Sequence, residues 1–207
     1  MASSGLVAFV LMIAGTFIAA RFLGPVAART MGSSAAAAAD KRFVGSAVPS
    51  FSLTDQEGRT VTDQTLSGHV WIGSFILSSC AGSCPMTSAK MARLQRAIQD
   101  PRVKLVSFTM NPERDSPSVL KEYAGKINAD PNRWHLLTGQ RADAVRIAEG
   151  IGMAAQLRQR PEDIVHSEKL VLVDATGRTR EYYDLNQEGV LDHLAQDAMA
   201  LCDEVNH

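Results

Sequence analysis

A run of apolar residues near the N-terminus is the first pattern along the chain. Residues 5–20 contain no charged side chain, and the apolar stretch continues to Leu23 across a single arginine, Arg21. This length falls within the roughly 17–25 residues that a membrane-spanning helix needs. Pro25 is expected to end the helix because its nitrogen has no hydrogen to donate. We therefore predict a transmembrane anchor over residues 1–25, with a cleaved signal peptide as the alternative.

The chain that follows the apolar run is predicted to be a flexible linker over residues 26–42. It contains five consecutive alanines among other small residues, and low-complexity segments of this kind are typical of tethers. No basic residue precedes the apolar run, so the usual excess of Lys and Arg on the cytoplasmic side does not define its orientation. The sequence thus predicts a tethered domain that begins near residue 43.

From residue 43 onward, the hydrophobic pattern alternates between strands and helices. Residues 51–62 are typical of a hairpin that turns at Gly58, and residues 70–77 form a continuous apolar run like that of a buried central strand. The other predicted elements are helices over 85–99, 117–126, 142–151 and 190–202, strands over 104–110 and 134–137, and a hairpin over 170–183 that turns at Gly177. This order predicts an α/β domain over residues 43–207, with a central mixed sheet flanked by helices.

Charge and composition exclude two classes of protein. The chain has 21 Lys and Arg against 22 Asp and Glu, so it lacks the concentrated positive charge that nucleic-acid binding requires. Its three cysteines, Cys80, Cys84 and Cys202, are too few and too unevenly spaced for a disulfide-stapled scaffold. Cys202 is predicted to be a packed thiol on the last helix. The other two lie four residues apart, which indicates a site.

Cys80 and Cys84 lie where a predicted buried strand gives way to a predicted helix that starts near Pro85. A thiolate at a helix N-terminus is stabilised by the partial positive charge of the backbone N–H groups. Three interpretations remain open: two structural cysteines, a thiol–disulfide oxidoreductase, or a soft-metal site for Cu(I) or zinc. Redox motifs usually have two residues between the cysteines, whereas here there are three.

A metal site would need a third ligand from elsewhere in the chain. His166 is the best candidate among the five histidines because it immediately precedes a predicted core strand. Asp163 could orient its imidazole as a hydrogen-bond partner. Met86 and Met110 have soft thioether sulfurs, but we predict that both pack in the core.

Several motifs, in order, resemble the SCO/SenC family of thioredoxin-like copper-binding proteins that help to assemble cytochrome c oxidase. The resemblance covers about residues 45–202, and its most specific parts are Cys-x-x-x-Cys-Pro, the Asn-Pro-Glu-Arg-Asp-Ser-Pro loop and a His-Ser pair before a strand. The matching stretches are Phe51–Arg59, Val70–Leu94, Val106–Pro117, Asp130–Gly139 and His166–Asp184. The resemblance therefore implies a thioredoxin-like fold.

The resemblance also implies a ligand set for one copper ion, as Cu(I), Cu(II) or both. The family's ligands correspond to Cys80, Cys84 and His166, and the two cysteines would form a disulfide when oxidised. Two positions depart from the family pattern without removing a ligand: Asn111 replaces a usual aspartate, and Ala81 replaces a common proline. Asp115 matches the second acidic position of the same loop, so that Asn111 and Asp115 are candidates for partner docking or support of the site.

The function implied by the resemblance is that of a copper metallochaperone that passes copper to an oxidase subunit by ligand exchange. No enzymatic activity is required for this role. The alternative is a membrane-anchored thiol–disulfide reductase that keeps the oxidase cysteines reduced. Other copper carriers or thiol reductants are further candidate partners. By analogy with the family, the domain is expected on the periplasmic face of the inner membrane of a bacterium.

Overall fold

The computed structural model describes residues 42–79, 84–153 and 168–204. The predicted anchor over residues 1–25 lies outside these ranges, as does nearly all of the predicted linker. Within the described ranges, no helix is both long enough and apolar enough to cross a membrane. The described residues all belong to a single compact unit.

The core of this unit is a five-stranded mixed sheet, which confirms the predicted α/β class. Its order is β5-β4-β3-β6-β7; β3, β4 and β5 run parallel, whereas β6 and β7 are antiparallel additions. A separate two-stranded sheet is the predicted hairpin, in which β1 pairs antiparallel with β2. The strands are β1 (Ser52–Thr54), β2 (Thr60–Thr62), β3 (Val70–Ile76), β4 (Val103–Thr109), β5 (Trp134–Leu137), β6 (Lys169–Val173) and β7 (Thr179–Asp184).

Four of the five helices in the described part of the chain match the predicted segments closely. They are α2 (Cys84–Ala97), α3 (Pro117–Ile127), α4 (Arg141–Gly150) and α5 (Val190–Glu204), and the additional short helix is α1 (Asp63–Leu66). The hydrophobic pattern did not predict α1, which is only four residues long. A reciprocal pair of hydrogen bonds stabilises its start: the Thr65 N–H donates to the Thr62 hydroxyl, and the Thr62 N–H donates to the Thr65 hydroxyl.

The sheet is buried on both faces, which explains why β3 has a nearly continuous apolar sequence. Ile72 and Ile76 pack into the core on one face together with Leu94 of α2. Trp71, which directly precedes Ile72, packs into the core on the other face together with Phe108. Because both faces are covered by side chains, we look for the functional groups of this domain at the ends of the strands.

Met86 lies on the surface, so the prediction that it packs in the core is wrong. Its side chain is 59% exposed, whereas Met110 is buried as predicted. The buried face of α2 is defined by Met91 and Leu94, and Ile98 continues it directly after the helix ends. Met86 precedes Met91 by five positions, which places it well away from that face at about 100° per residue. The exposed Met86 therefore lies on the first turn of α2, next to the cysteine motif.

Candidate functional site

The cysteine motif starts at one particular end of the central sheet. Since β3 and β4 are parallel, the segments that follow both strands leave at the same end. In the antiparallel pairing of β3 with β6, Trp71 lies opposite Val173 and Gly73 lies opposite Val171. The first residues of β6 therefore lie at the end of the sheet where β3 finishes. Three chain segments meet there: the exits of β3 and β4 and the entrance to β6.

Most of the predicted metal ligands lie outside the described part of the chain. These are Cys80 and His166, together with Asp163, the predicted partner of the imidazole. Cys84 begins α2 with its backbone, but its side chain is outside the described set. Within the described residues, no group of three or more His, Cys, Asp or Glu side chains could hold a metal ion. The ligand set therefore stays a prediction.

The backbone position of Cys84 agrees with the predicted chemistry of a helix N-terminus. Cys84 is the first residue of α2, and Pro85 follows it at a position where a missing N–H costs no helical hydrogen bond. The first turn of α2 contains no acidic residue, so no carboxylate there offsets the positive end of the helix dipole. This location favours the thiolate form of a cysteine.

Asp115 is the described residue with the most direct connection to the cysteine motif. Its side chain has no solvent exposure. One carboxylate oxygen, Oδ1, accepts a hydrogen bond from the Ser78 hydroxyl. The other, Oδ2, accepts from the Thr109 hydroxyl and from the Ser78 N–H at 3.3 Å. Asp115 therefore joins the exits of β3 and β4, and its partner on the β3 side, Ser78, lies two residues before Cys80 in the sequence.

Asn111 closes the loop that contains Asp115. Its carbonyl accepts hydrogen bonds from the N–H groups of Arg114 at 3.1 Å and Asp115 at 2.9 Å. Its own N–H donates to the Thr109 hydroxyl at 3.1 Å, which also contacts Asp115. These bonds use the backbone of Asn111, so they do not depend on the aspartate-to-asparagine difference at this position. Sequence reasoning missed the roles of Ser78 and Thr109 because neither residue type carries a distinctive signal.

Two other histidines, His135 and His193, lie close to carboxylates outside the region of the cysteine motif. The His135 Nδ1 lies 3.2 Å from Asp55 Oδ2, and burial holds the pKa of the imidazole below its usual value although Asp55 opposes this shift. His193 Nε2 lies 3.8 Å from Asp197 Oδ2 on the solvent-facing side of α5. Neither His135 nor His193 is among the predicted metal ligands.

Cys202 is buried on α5 with 2% exposure, which confirms that this thiol packs in the core. Burial raises the pKa of the Cys202 thiol, while nearby Arg102 acts in the opposite direction. A raised pKa disfavours the reactive thiolate. Cys202 is therefore a suitable internal reference for the reactivity of the motif cysteines.

The fold and the position of the cysteine motif define a class: an α/β protein with a mixed sheet and a strand–Cys-x-x-x-Cys–helix junction. The SCO1/SenC family pattern matches residues 39–200, which is most of the chain. The chain therefore belongs to the SCO1/SenC family. One curated relative is a SCO1 protein homolog from Bacillus subtilis, which is 28% identical over 72% of this chain and 80% of its own length. Another is a putative copper-binding protein from Stutzerimonas stutzeri, which is 30% identical over 65% of this chain and 67% of its own length.

Solved structures of the family have the same fold. A SCO1/SenC family lipoprotein from Bacillus anthracis is 27% identical, with a TM-score of 0.68 over 76% of this chain and 95% of its own. BsSco, described as a member of the Sco family of cytochrome c oxidase assembly proteins with a disulfide switch, is 26% identical, with a TM-score of 0.68 over 77% and 95%. ScoI from Bradyrhizobium japonicum, solved with copper bound, is 23% identical, with a TM-score of 0.61 over 75% and 99%. At that identity the last comparison supports the fold alone.

Proposed function

We propose that this protein is a copper metallochaperone that binds one copper ion and delivers it to the copper site of a cytochrome c oxidase subunit. Family membership supports this role, since a relative carries the name of a copper-binding protein and BsSco is described as an oxidase assembly protein. The ligands in this proposal are Cys80, Cys84 and His166. Copper is the cargo of the protein.

One observation on the described backbone carries the ligand assignment. The end of β3 at Ile76 lies four residues before Cys80, and the start of β6 at Lys169 lies three residues after His166. The antiparallel register of β3 and β6 brings these two strand ends to the same end of the sheet. A short segment from each strand end is enough to bring a thiolate and an imidazole to one ion.

The chemistry of the three donors suits copper. Thiolates are soft ligands that select Cu(I), and imidazole also binds Cu(II). Oxidation of the two thiols to a disulfide would remove two ligands together with two electrons and two protons. Copper binding and thiol oxidation therefore compete for Cys80 and Cys84, and the described disulfide switch in BsSco is consistent with such competition in the family.

We further propose that residues 1–25 anchor the protein in the inner membrane and that residues 26–42 tether the domain of residues 43–207 on the periplasmic side. The length and apolar character of residues 5–23 support the anchor. A relative with a solved structure is described as a lipoprotein, a description that is consistent with attachment to a membrane. In this arrangement, Asn111 contributes to the docking surface next to the cysteines, buried Asp115 supports the site from within the domain, and Asp163 orients His166.

A copper-binding measurement on the full chain tests the proposal. The protein is purified in mild detergent, reduced, exposed to copper and desalted, and the retained copper is counted per chain. We expect one copper per chain in the wild type and a loss in Cys80→Ser, Cys84→Ser and His166→Ala. The matched controls Cys202→Ala and His193→Ala should retain the wild-type amount. Retention of less than one copper by the wild type would refute the chaperone role.

The second candidate is a thiol–disulfide reductase, which the helix N-terminal position of Cys84 also favours. In that reaction, reduced Cys80 and Cys84 transfer two electrons and two protons to a disulfide of the partner and become a disulfide themselves. His166 separates the two roles because a reductase does not require it. If His166→Ala lowers copper affinity and leaves the rate of disulfide reduction unchanged, then the ligand assignment holds and any reductase activity is separate from it.

A further inference from the structure

The buried carboxylate of Asp115 requires an explanation because burial of a charged group is costly without compensating hydrogen bonds. Its side chain has no exposure, and the described donors to it are the neutral groups of Ser78 and Thr109. Three hydrogen bonds from neutral donors can hold a carboxylate in place. Such a group fixes the relative position of the segments that supply the donors.

The two donor segments are already joined by backbone hydrogen bonding near the ends of their strands. The Met110 N–H donates to the Ile76 carbonyl at 3.0 Å just beyond the last paired residues of β3 and β4. Beyond Ile76, Ser78 holds the segment that follows β3 by donating two hydrogen bonds to Asp115. The carboxylate thus extends the order of the sheet by two residues toward Cys80.

The loop side of Asp115 is fixed as well. Its N–H donates to the Asn111 carbonyl at 2.9 Å, and α3 begins two residues later at Pro117. The hydroxyl of Ser116 caps α3 by accepting from the Val119 N–H at 3.4 Å. The backbone of Asp115 is therefore fixed by its own loop, while its carboxylate holds Ser78 in the segment that enters the cysteine motif.

We propose that Asp115 is a positioning residue for Cys80: through Ser78, its carboxylate sets where the cysteine segment leaves the sheet. The same carboxylate links this segment to the Asn111–Pro117 loop, so a partner that displaces the loop alters the position of Cys80. The functional meaning of this inference rests on the proposed function. Its test does not, because the reactivity of Cys80 is measured without copper.

The test measures the rate of alkylation of Cys80 in the reduced full chain, with buried Cys202 as an internal reference, by peptide mass spectrometry. Loss of one hydrogen bond is worth about 1 kcal/mol, which corresponds to about a fivefold change. We expect Ser78→Ala and Asp115→Asn each to change the rate at Cys80 by about fivefold. The double variant should change the rate by less than the two single effects combined, because both substitutions weaken the contact between Ser78 and Asp115. Ser78→Thr keeps the hydroxyl and should restore the wild-type rate.

A matched control separates positioning from loss of stability. Ser74 is on β3, the strand that precedes Ser78, and its hydroxyl lies 2.7 Å from that of Ser107 on β4. Ser74→Ala therefore removes a buried hydroxyl contact between the same two strands, four residues earlier. We expect it to lower the unfolding midpoint without changing the alkylation of Cys80. Equal effects of Ser74→Ala and Ser78→Ala, additive effects in the double variant, or no effect of Ser78→Ala would each overturn the proposal.

Discussion

Asp55 offers a stability prediction that can be worked out from the structure. Its carboxylate is completely buried at the turn between β1 and β2. Oδ1 accepts from the N–H groups of Glu57 and Arg59, both at 2.9 Å, and Oδ2 accepts from Arg59 Nε at 2.8 Å. Oδ2 also lies 3.2 Å from Nδ1 of His135 on β5. One side chain therefore closes the hairpin and joins it to the edge of the central sheet.

Asp55→Asn keeps an acceptor for the turn but replaces Oδ2 with an N–H₂ group that faces two other donors. The lost hydrogen bond is charge-assisted, and such bonds contribute about 1.5–3 kcal/mol. Arg59 is partly exposed, so we take about 2 kcal/mol as the expected loss in the free energy of unfolding. For a domain of this size, that corresponds to a fall in Tm of roughly 4–8 °C.

The pH dependence of stability gives an independent check. Burial by itself would raise the pKa of Asp55, but hydrogen bonds from the Arg59 backbone, His135 and the Arg59 side chain outweigh it and hold the pKa below its usual value. A carboxyl group with a lowered folded pKa stabilises the fold above its unfolded pKa of about 3.9 and loses that contribution as the pH falls further. Asp55→Asn should therefore remove the part of acid destabilisation that occurs below about pH 4.

His135 also makes the fold less stable as the pH falls, but in a higher pH range than Asp55. Burial lowers the pKa of its imidazole, and the contact with Asp55 partly offsets this. The unfolded chain therefore takes up a proton below about pH 6.5 that the folded chain resists, so stability falls as the pH decreases from that value. Loss of the Asp55 charge lowers the pKa of His135 further. Asp55→Asn should thus show a steeper loss of stability below about pH 6.5 than the wild type.

Urea unfolding between pH 3 and pH 8 measures both effects. Asp143→Asn is the control because Asp143 forms an ion pair with Arg146 on the surface of α4, and it should change stability by less than about 0.5 kcal/mol. If Asp55→Asn is no more destabilising than this control, then the assigned hydrogen bonds do not stabilise the fold. A pH profile parallel to that of the wild type would contradict the electrostatic part of the reasoning.

Two further predictions concern the core and the surface of the domain. Ser107→Ala should lower the free energy of unfolding, measured by urea denaturation, by about 2–4 kcal/mol. The Ser107 hydroxyl lies 2.7 Å from that of Ser74 and accepts a hydrogen bond from Trp134 Nε1 at 2.9 Å. Its loss therefore leaves two buried groups without a partner. Met86→Ser should change the free energy of unfolding by less than about 0.5 kcal/mol because the Met86 side chain is 59% exposed. Met91→Ala should lower it by about 2–5 kcal/mol because Met91 has no exposure. Equal costs for the two methionines would contradict the structure.

Much of the fold was predictable because its signals are local. The continuous apolar sequence of β3 reflects burial on both sheet faces. Gly58 and Gly177 mark hairpin turns, and both have the positive φ values, 78° and 76°, that favour glycine. The helical spacing of Met91, Leu94 and Ile98 gave the buried face of α2. Met86 was placed wrongly because its hydrophobic character was given more weight than its position on that helix.

The support of the cysteine motif could not be predicted because it depends on contacts between distant residues. Ser78 and Asp115 are 37 positions apart, and Ser74 and Ser107 are 33 positions apart. Serine and threonine occur throughout soluble domains, so nothing in the sequence distinguishes those that bind a buried carboxylate. The contacts become apparent only when the strand register brings the ends of β3 and β4 together.

The sequence by itself determined the α/β class, the family and the residue types available for metal chemistry, because hydrophobic periodicity and motif spacing are properties of the chain. Only the tertiary structure decided the strand order, the exposure of Met86 and the contacts of Asp115. The physical reason is that these features arise from packing and hydrogen bonding across the sheet. A linear pattern can supply a thiolate or a carboxylate, but the register of the strands determines which groups meet.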